Sequence, residues 1–202
     1  MTTPLLRSAI CAAVLAATSG PVGAVDYSDP TWPCIQRKVE TLSVGLMWPH
    51  PLPETLDEAP YSEIIDTLSL RRLSEDELAE AVDTFVAANP EADLDTFGII
   101  FNGVFENLGS LRRQLIAGIG RYSEQQIALA QKIDAQHTEM AALEAADEPD
   151  FDRIDEIEAV VDWDERIYED RVQALTYVCE TPVLLEQRLF ALAQLLLARA
   201  PD

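Results

Sequence analysis

The longest regular pattern lies in the second half of the chain. Apolar or seam-compatible residues at Leu115, Ile119, Tyr122, Gln126, Leu129, Ile133, Gln136, Met140 and Leu143 recur in steps of four and three, the spacing of a coiled-coil seam. Asp147-Glu148-Pro149 interrupts it. A second seam then runs Ile154, Ile157, Val161, Asp164, Tyr168, Arg171, Leu175 and Val178, and its register continues into Leu185, Leu189, Leu192 and Leu196. Two seams joined by a short polar break predict an antiparallel helical hairpin, 111–146 against 150–180, with its turn near 147–149. Folding about that turn sets Tyr122 near Leu175, Gln126 near Arg171, and Ile133 near Trp163 and Asp164. Arms of about 35 residues project on the order of 50 Å. Polar residues within the seam favour one register over maximal stability.

Shorter helical patterns precede the hairpin. Tyr61, Ile64, Ile65 and Leu68 define a first helix, 61–70. Ser74 with Glu77 three residues on forms a capping box, and Leu73 against Leu78 a hydrophobic staple, for a second helix, 75–88, that ends at Asn89-Pro90. A third, 93–109, carries Phe97, Ile100, Phe101, Val104, Phe105 and Leu108 on one face; Gly98 and Gly103 in it imply close approach of another element. After the return arm, Thr181-Pro182 reads as a cap followed by proline at the first helical position, so a separate last helix is expected over 182–199. A kink in one longer helix is the alternative. The last helix is dense in leucine, yet Glu186, Gln187, Arg188 and Gln194 interrupt it, which excludes a membrane span. It is expected to pack on the first three helices, with service as a partner groove the lesser reading.

The region before residue 60 has another character. Pro30, Pro33, Pro49, Pro51, Pro53 and Pro60 forbid a long helix over 25–60. Trp32, Ile35, Val39, Leu42, Val44, Leu46, Met47 and Trp48 nevertheless supply enough apolar surface to pack. The expected form is an extended strap over the helical body, with one helical turn after Pro33. The fold class is therefore all-α: a helical bundle with a long antiparallel hairpin and a proline-rich strap, in a single domain over 61–202.

Composition adds a compartment. Residues 1–24 carry Arg7, an apolar run too short to span a bilayer, and the small-residue ending Val22-Gly23-Ala24, the pattern of a signal peptide cleaved after Ala24. Cys11 lies inside that run without a lipobox before it. Two lysines, Lys38 and Lys132, and abundant alanine suggest a GC-rich bacterial genome, so the expected location is the periplasm or outside the cell. In an oxidising compartment the remaining cysteines, Cys34 and Cys179, are most simply a disulfide clasping strap to hairpin. The register puts Cys179 opposite Gly118 and close to Gly120, which leaves room for the strap.

Charge narrows the partners. A formal net of −22 repels phosphate backbones and anionic head groups. Nucleic acid and simple electrostatic membrane binding are thus disfavoured. Between Glu144 and Asp170 stand 13 acids against Arg153 and Arg166, so the outer hairpin is the most negative part. Asp150, Asp152, Asp155, Glu156, Glu158 and Asp162 are candidate contacts for a basic protein surface, or for divalent cations at the acidic tip. A solvated face that merely maintains solubility is the bland alternative.

Chemistry-bearing motifs are scarce. No nucleophile elbow, His-Glu-x-x-His pair, phosphate loop or EF-hand spacing occurs. His50, in MWPHP beside Met47, and His137, next to the seam, are the two histidines, too few to complete a metal site with two cysteines. No catalytic residue, metal site or cofactor is expected. The leading expectation is a non-enzymatic periplasmic interaction or adaptor protein with an envelope or secreted partner. A small-molecule or metal-binding module, with its pocket between the third helix and the strap, is the second. A carboxylate-dependent enzyme is the third.

Overall fold

The computed structural model describes residues 29–201; the expected signal peptide lies outside the described residues. Among them the regular elements are helical: α1 (Ser62–Ser69), α2 (Glu75–Ala88), α3 (Leu94–Glu144) and α4 (Phe151–Leu197), with single 3-10 turns at Val44–Leu46 and Ala59–Tyr61. The strap is otherwise extended, as its prolines require. Its helical turn falls at Val44–Leu46 rather than after Pro33.

Local signals set the helix starts. Ser74 Oγ accepts from Glu77 N–H at 3.3 Å while Glu77 Oε2 accepts from Ser74 N–H at 2.8 Å, the reciprocal box that satisfies two orphan donors of α2. Asp93 caps α3 by accepting from Thr96 N–H at 2.9 Å. Asp150 does the same for α4 through Arg153 N–H at 3.1 Å.

Two expected breaks are absent. The third helix and the first hairpin arm, read as 93–109 and 111–146, form one helix of 51 residues. Gly109 and Ser110 cost propensity but not the ladder, and burial continues across them through Leu108, Arg112, Ile116 and Ile119. Likewise α4 runs unbroken through Pro182. The proline removes the donor that the Val178 carbonyl would receive and costs about 3 kcal/mol in a helix interior. Side chains from elsewhere bond the backbone around it. Gln36 Nε2 of the strap donates to Cys179 O, and Arg112 Nε of α3 donates to Pro182 O at 3.2 Å. Pro182 itself sits buried, at the seam position between Cys179 and Leu185.

The core divides into three compartments along the α3–α4 pair. The body buries Ile65, Leu68, Leu78, Val82, the phenylalanine face of α3, and Leu185, Leu189, Leu192 and Leu196 of α4. Trp48 of the strap closes it by stacking on Phe101, with centroids 5.3 Å apart. Gly98 and Gly103 mark close approaches, as expected. A Cβ at Gly98 would stand 3.3 Å from Leu52 Cδ2, and one at Gly103 only 2.7 Å from Ile65 Cδ1. Arg188 ties α4 to the α1–α2 connection by donating to Leu73 O at 2.9 Å and to Leu70 O. Arg199 pairs with Asp83 of α2.

Midway lies the clasp. Cys34 and Cys179 are at disulfide distance, their Cα atoms 5.5 Å apart, buried with Ile119 and flanked by Trp32. Burial falls on Cys179 rather than the seam position Val178, because the strap covers that flank of α4. Gly120 is near the strap but not crowded by it: an added Cβ would sit 3.8 Å from Thr31 O, and one at Gly118 would meet only Arg121, at 3.9 Å.

The third compartment fills the outer hairpin with Ile133, Ile157 and Val161, packed by Leu129, Met140, Leu143 and Tyr168. Polar contacts thread its inner end toward the clasp. Gln126 Nε2 donates to Tyr168 O at 3.2 Å, Lys132 Nζ meets the buried Asp164 carboxylate at 2.7 Å, and Arg171 lies 5.9 Å over the Tyr122 ring. The pairings Tyr122 with Arg171 and Gln126 with Tyr168 fall three or four residues nearer the tip than the seam reading placed them.

Candidate functional site

The acidic tip is built by the first five turns of α4. Its buried stripe, Ile154, Ile157, Val161 and Asp164, faces α3, so the 3.6-residue period fixes what remains outside. Asp155, Glu158, Asp162, Glu165 and Glu169 follow at i, i+3, i+7, i+10 and i+14 and share one exposed flank. Asp152 and Glu156 lie toward the outward face.

The six candidate contact residues are all exposed, but not all free. Asp150 is the cap of α4, so its carboxylate is committed to Arg153 N–H. Glu156 accepts from Arg153 Nη1 at 3.2 Å, while Arg153 Nη2 reaches across the hairpin to Glu139 at 3.0 Å. Glu139 first, then Glu156, holds the guanidinium pKa of Arg153 above its usual range. Asp152, Asp155, Glu158 and Asp162 carry no ion pair among the described residues. Further along, His137 Nε2 and Glu165 Oε1 meet at 3.0 Å.

One residue of this surface escaped the seam reading. Trp163, expected near Ile133, instead points outward and is 61% exposed. Its neighbour Asp164 takes the inward position, since the stripe reaches 164 three residues after Val161. Val160 and Ile167, at i−3 and i+4, extend Trp163 into a short outward apolar stripe, with Glu156 and Asp170 a further turn away on either side. Phe151 at the tip is 68% exposed. The signal was available: Trp163 is one residue off the 3-4 spacing.

The remaining candidates separate in space. Among the described residues no three or more His, Cys, Asp or Glu side chains come together in a way that could hold a metal ion. His50 is an exposed loop residue edge-on to Trp48, 6.2 Å away. Trp48 fills the space between strap and Phe-rich helix. A depression of about 750 Å³ lies instead between the strap, Arg112 of α3 and α4, lined by Val39, Leu42, Leu46 and Phe190. No helix of the described residues is long and apolar enough to cross a membrane.

Fold and surface thus define a class: an all-helical, disulfide-clasped hairpin protein with an acidic, aromatic-bearing outer arm. No protein-family model matches the chain, and no curated protein and no solved structure matches it either.

Proposed function

We propose that this is a non-enzymatic interaction protein of the periplasm or the secreted fraction, docking by the outer hairpin onto a basic surface of an envelope or secreted partner. The observation that carries the reading is the exposure of Trp163, with Val160, Arg166 and Ile167 as its helical neighbours, on an arm whose adjoining flank carries the unpaired Asp155, Glu158 and Asp162. A large amphipathic ring left in water is costly in area and is the side chain most often found at the energetic centre of an interface. Surrounding charge of one sign accelerates encounter with the opposite sign and rejects like-charged partners. Solubility alone would account for the acids but not for the tryptophan among them.

Crosslinking and mass spectrometry from native envelope test this. A partner crosslinked to 150–170 is expected. Reversal of Asp152, Asp155, Glu156 and Glu158 to lysine, or Trp163→Ala, should abolish its capture while the circular-dichroism melt persists. Capture that survives both variants would refute docking at this surface.

A further inference from the structure

A second surface lies midway along the α3–α4 pair, beside the clasp. Strap residues 33–36 and the facing flanks of α3 and α4 enclose a groove of about 560 Å³. Ile127, Ala130, Tyr168 and Val172 give it an apolar lining, and Ile35, adjacent to Cys34, rims it at 86% exposure. Asp134 on the α3 wall and Glu180 on the α4 wall are its charged residues; no basic side chain lines it. Gln126, only 6% exposed, closes the floor, with its Nε2 donating to Tyr168 O at 3.2 Å.

We propose that this groove binds an amphipathic α-helix of a partner protein, with apolar residues toward the floor and lysine or arginine along both edges. The shape favours a helix, because two antiparallel helices leave between them the position a third would occupy in a bundle. The stretch of α3 from Ser123 to Asp134 that lines it is roughly 17 Å long at ~1.5 Å per residue, enough for about three turns. The sign of the edges follows from Asp134 and Glu180, which stand on opposite walls. A second copy of this chain fits poorly, since it brings a formal charge of −22 to acidic walls. The groove adjoins the outer hairpin at Asp134 and Tyr168, but its occupant does not depend on the docking reading given for the acidic arm.

The test uses the full oxidised chain and three synthetic 14-residue probes: a helical leucine/lysine amphipathic peptide, its leucine/glutamate counterpart, and the lysine peptide scrambled to destroy its apolar face. Methyl resonances of Ile35, Ile127 and Val172 report the groove, and the Trp163 indole reports the tip. The leucine/lysine peptide should shift the three methyls saturably with one-to-one stoichiometry, and the other two should not. Asp134→Lys with Glu180→Lys should weaken it about tenfold or more, whereas Trp163→Ala should leave affinity unchanged. If the double reversal perturbs folding, Asp134→Asn with Glu180→Gln should give a smaller loss of the same sign. Equal binding of the scrambled peptide, or shifts confined to Trp163, would mean diffuse attraction to acidic surface and would overturn the proposal. Absence of any binding would do so as well.

Discussion

Arg112 of α3 donates through Nε to the carbonyl of Pro182, 3.2 Å away in α4. The same guanidinium donates through Nη1 to Val39 O of the strap at 2.7 Å and meets Glu186 at 3.5 Å. One side chain therefore joins three segments. It is buried, and desolvation pushes its pKa down against the opposing pull of Glu186. Removing it takes a donor from the buried Pro182 carbonyl and from the part-buried Val39 carbonyl. Arg112→Met should cost about 2–4 kcal/mol in denaturant unfolding, with amide exchange over 37–43 accelerating. Arg112→Lys should recover only part of this, lacking the planar fork.

The clasp closes a loop with a sequence separation of 145 residues. Constraint of the unfolded chain by so long a loop is worth roughly 3–5 kcal/mol. Cys34→Ser with Cys179→Ser, or reductant, should lower Tm. A melt indifferent to both would show that strap packing alone holds the two ends.

Glycines on α3 should respond in opposite directions. Gly103→Ala drives a methyl to within 3.0 Å of the buried, β-branched Ile65, an overpacking that costs about 1–3 kcal/mol. Gly118→Ala meets only a flexible arginine and should stabilise by about 0.5–1 kcal/mol through helix propensity. Paired thermal melts decide both.

Like charge crowds the outer arm, where 13 acids stand against two arginines between Glu144 and Asp170. Repulsion among exposed charges is screened within about 8 Å at physiological ionic strength. Raising salt from 10 to about 300 mM should therefore slow amide exchange over 145–165 while exchange in the body, around Leu189 and Leu192, barely moves. Equal change in both would assign the effect to global stability.

Several carboxylates are held below their usual range by the contacts that cap or join helices: Glu77 by the Ser74 backbone and hydroxyl, Asp93 by Thr96 N–H and hydroxyl, Asp83 by Arg199. A pKa lower in the folded state gives stability that is present above the unfolded value, about 4, and is lost as pH falls through the folded one. The stability difference between wild type and Asp93→Ala should be constant from pH 7 to 5 and shrink below about 4. A difference unchanged down to pH 2 would remove the carboxylate from the cap.

The local and periodic features of this fold could be read directly from residues. Ser74-x-x-Glu77 announces a helix start wherever it is met, the 3-4 spacing places Ile133 and Ile157 inside, and two cysteines without other ligands leave a disulfide as the simplest pairing. What escaped detection depends on distant partners. Pro182 breaks an isolated helix, and its burial among α3, α4 and the strap, with Gln36 and Arg112 bonded to the backbone on either side of it, is invisible in the local sequence. Gly109-Ser110 looks like a junction until burial on both sides is known. Arg112 gives no sequence signal for its role, since a single arginine on a helix is ordinarily solvated. The acidic surface was legible as charge, and the outward position of Trp163 was legible too, since the 3-4 spacing already assigned Asp164 to the seam.

Continuity of α4 through Pro182 has a mechanical consequence. From Phe151 to Cys179 the rod extends roughly 42 Å, and from Cys179 to Leu197 roughly 27 Å, at ~1.5 Å per residue. The clasp thus acts as a fulcrum set off-centre on a single beam. A sideways load at the tip is resisted at that point by a covalent bond, and the shorter arm turns the remainder into torque on the leucines that seat α4 among the first three helices.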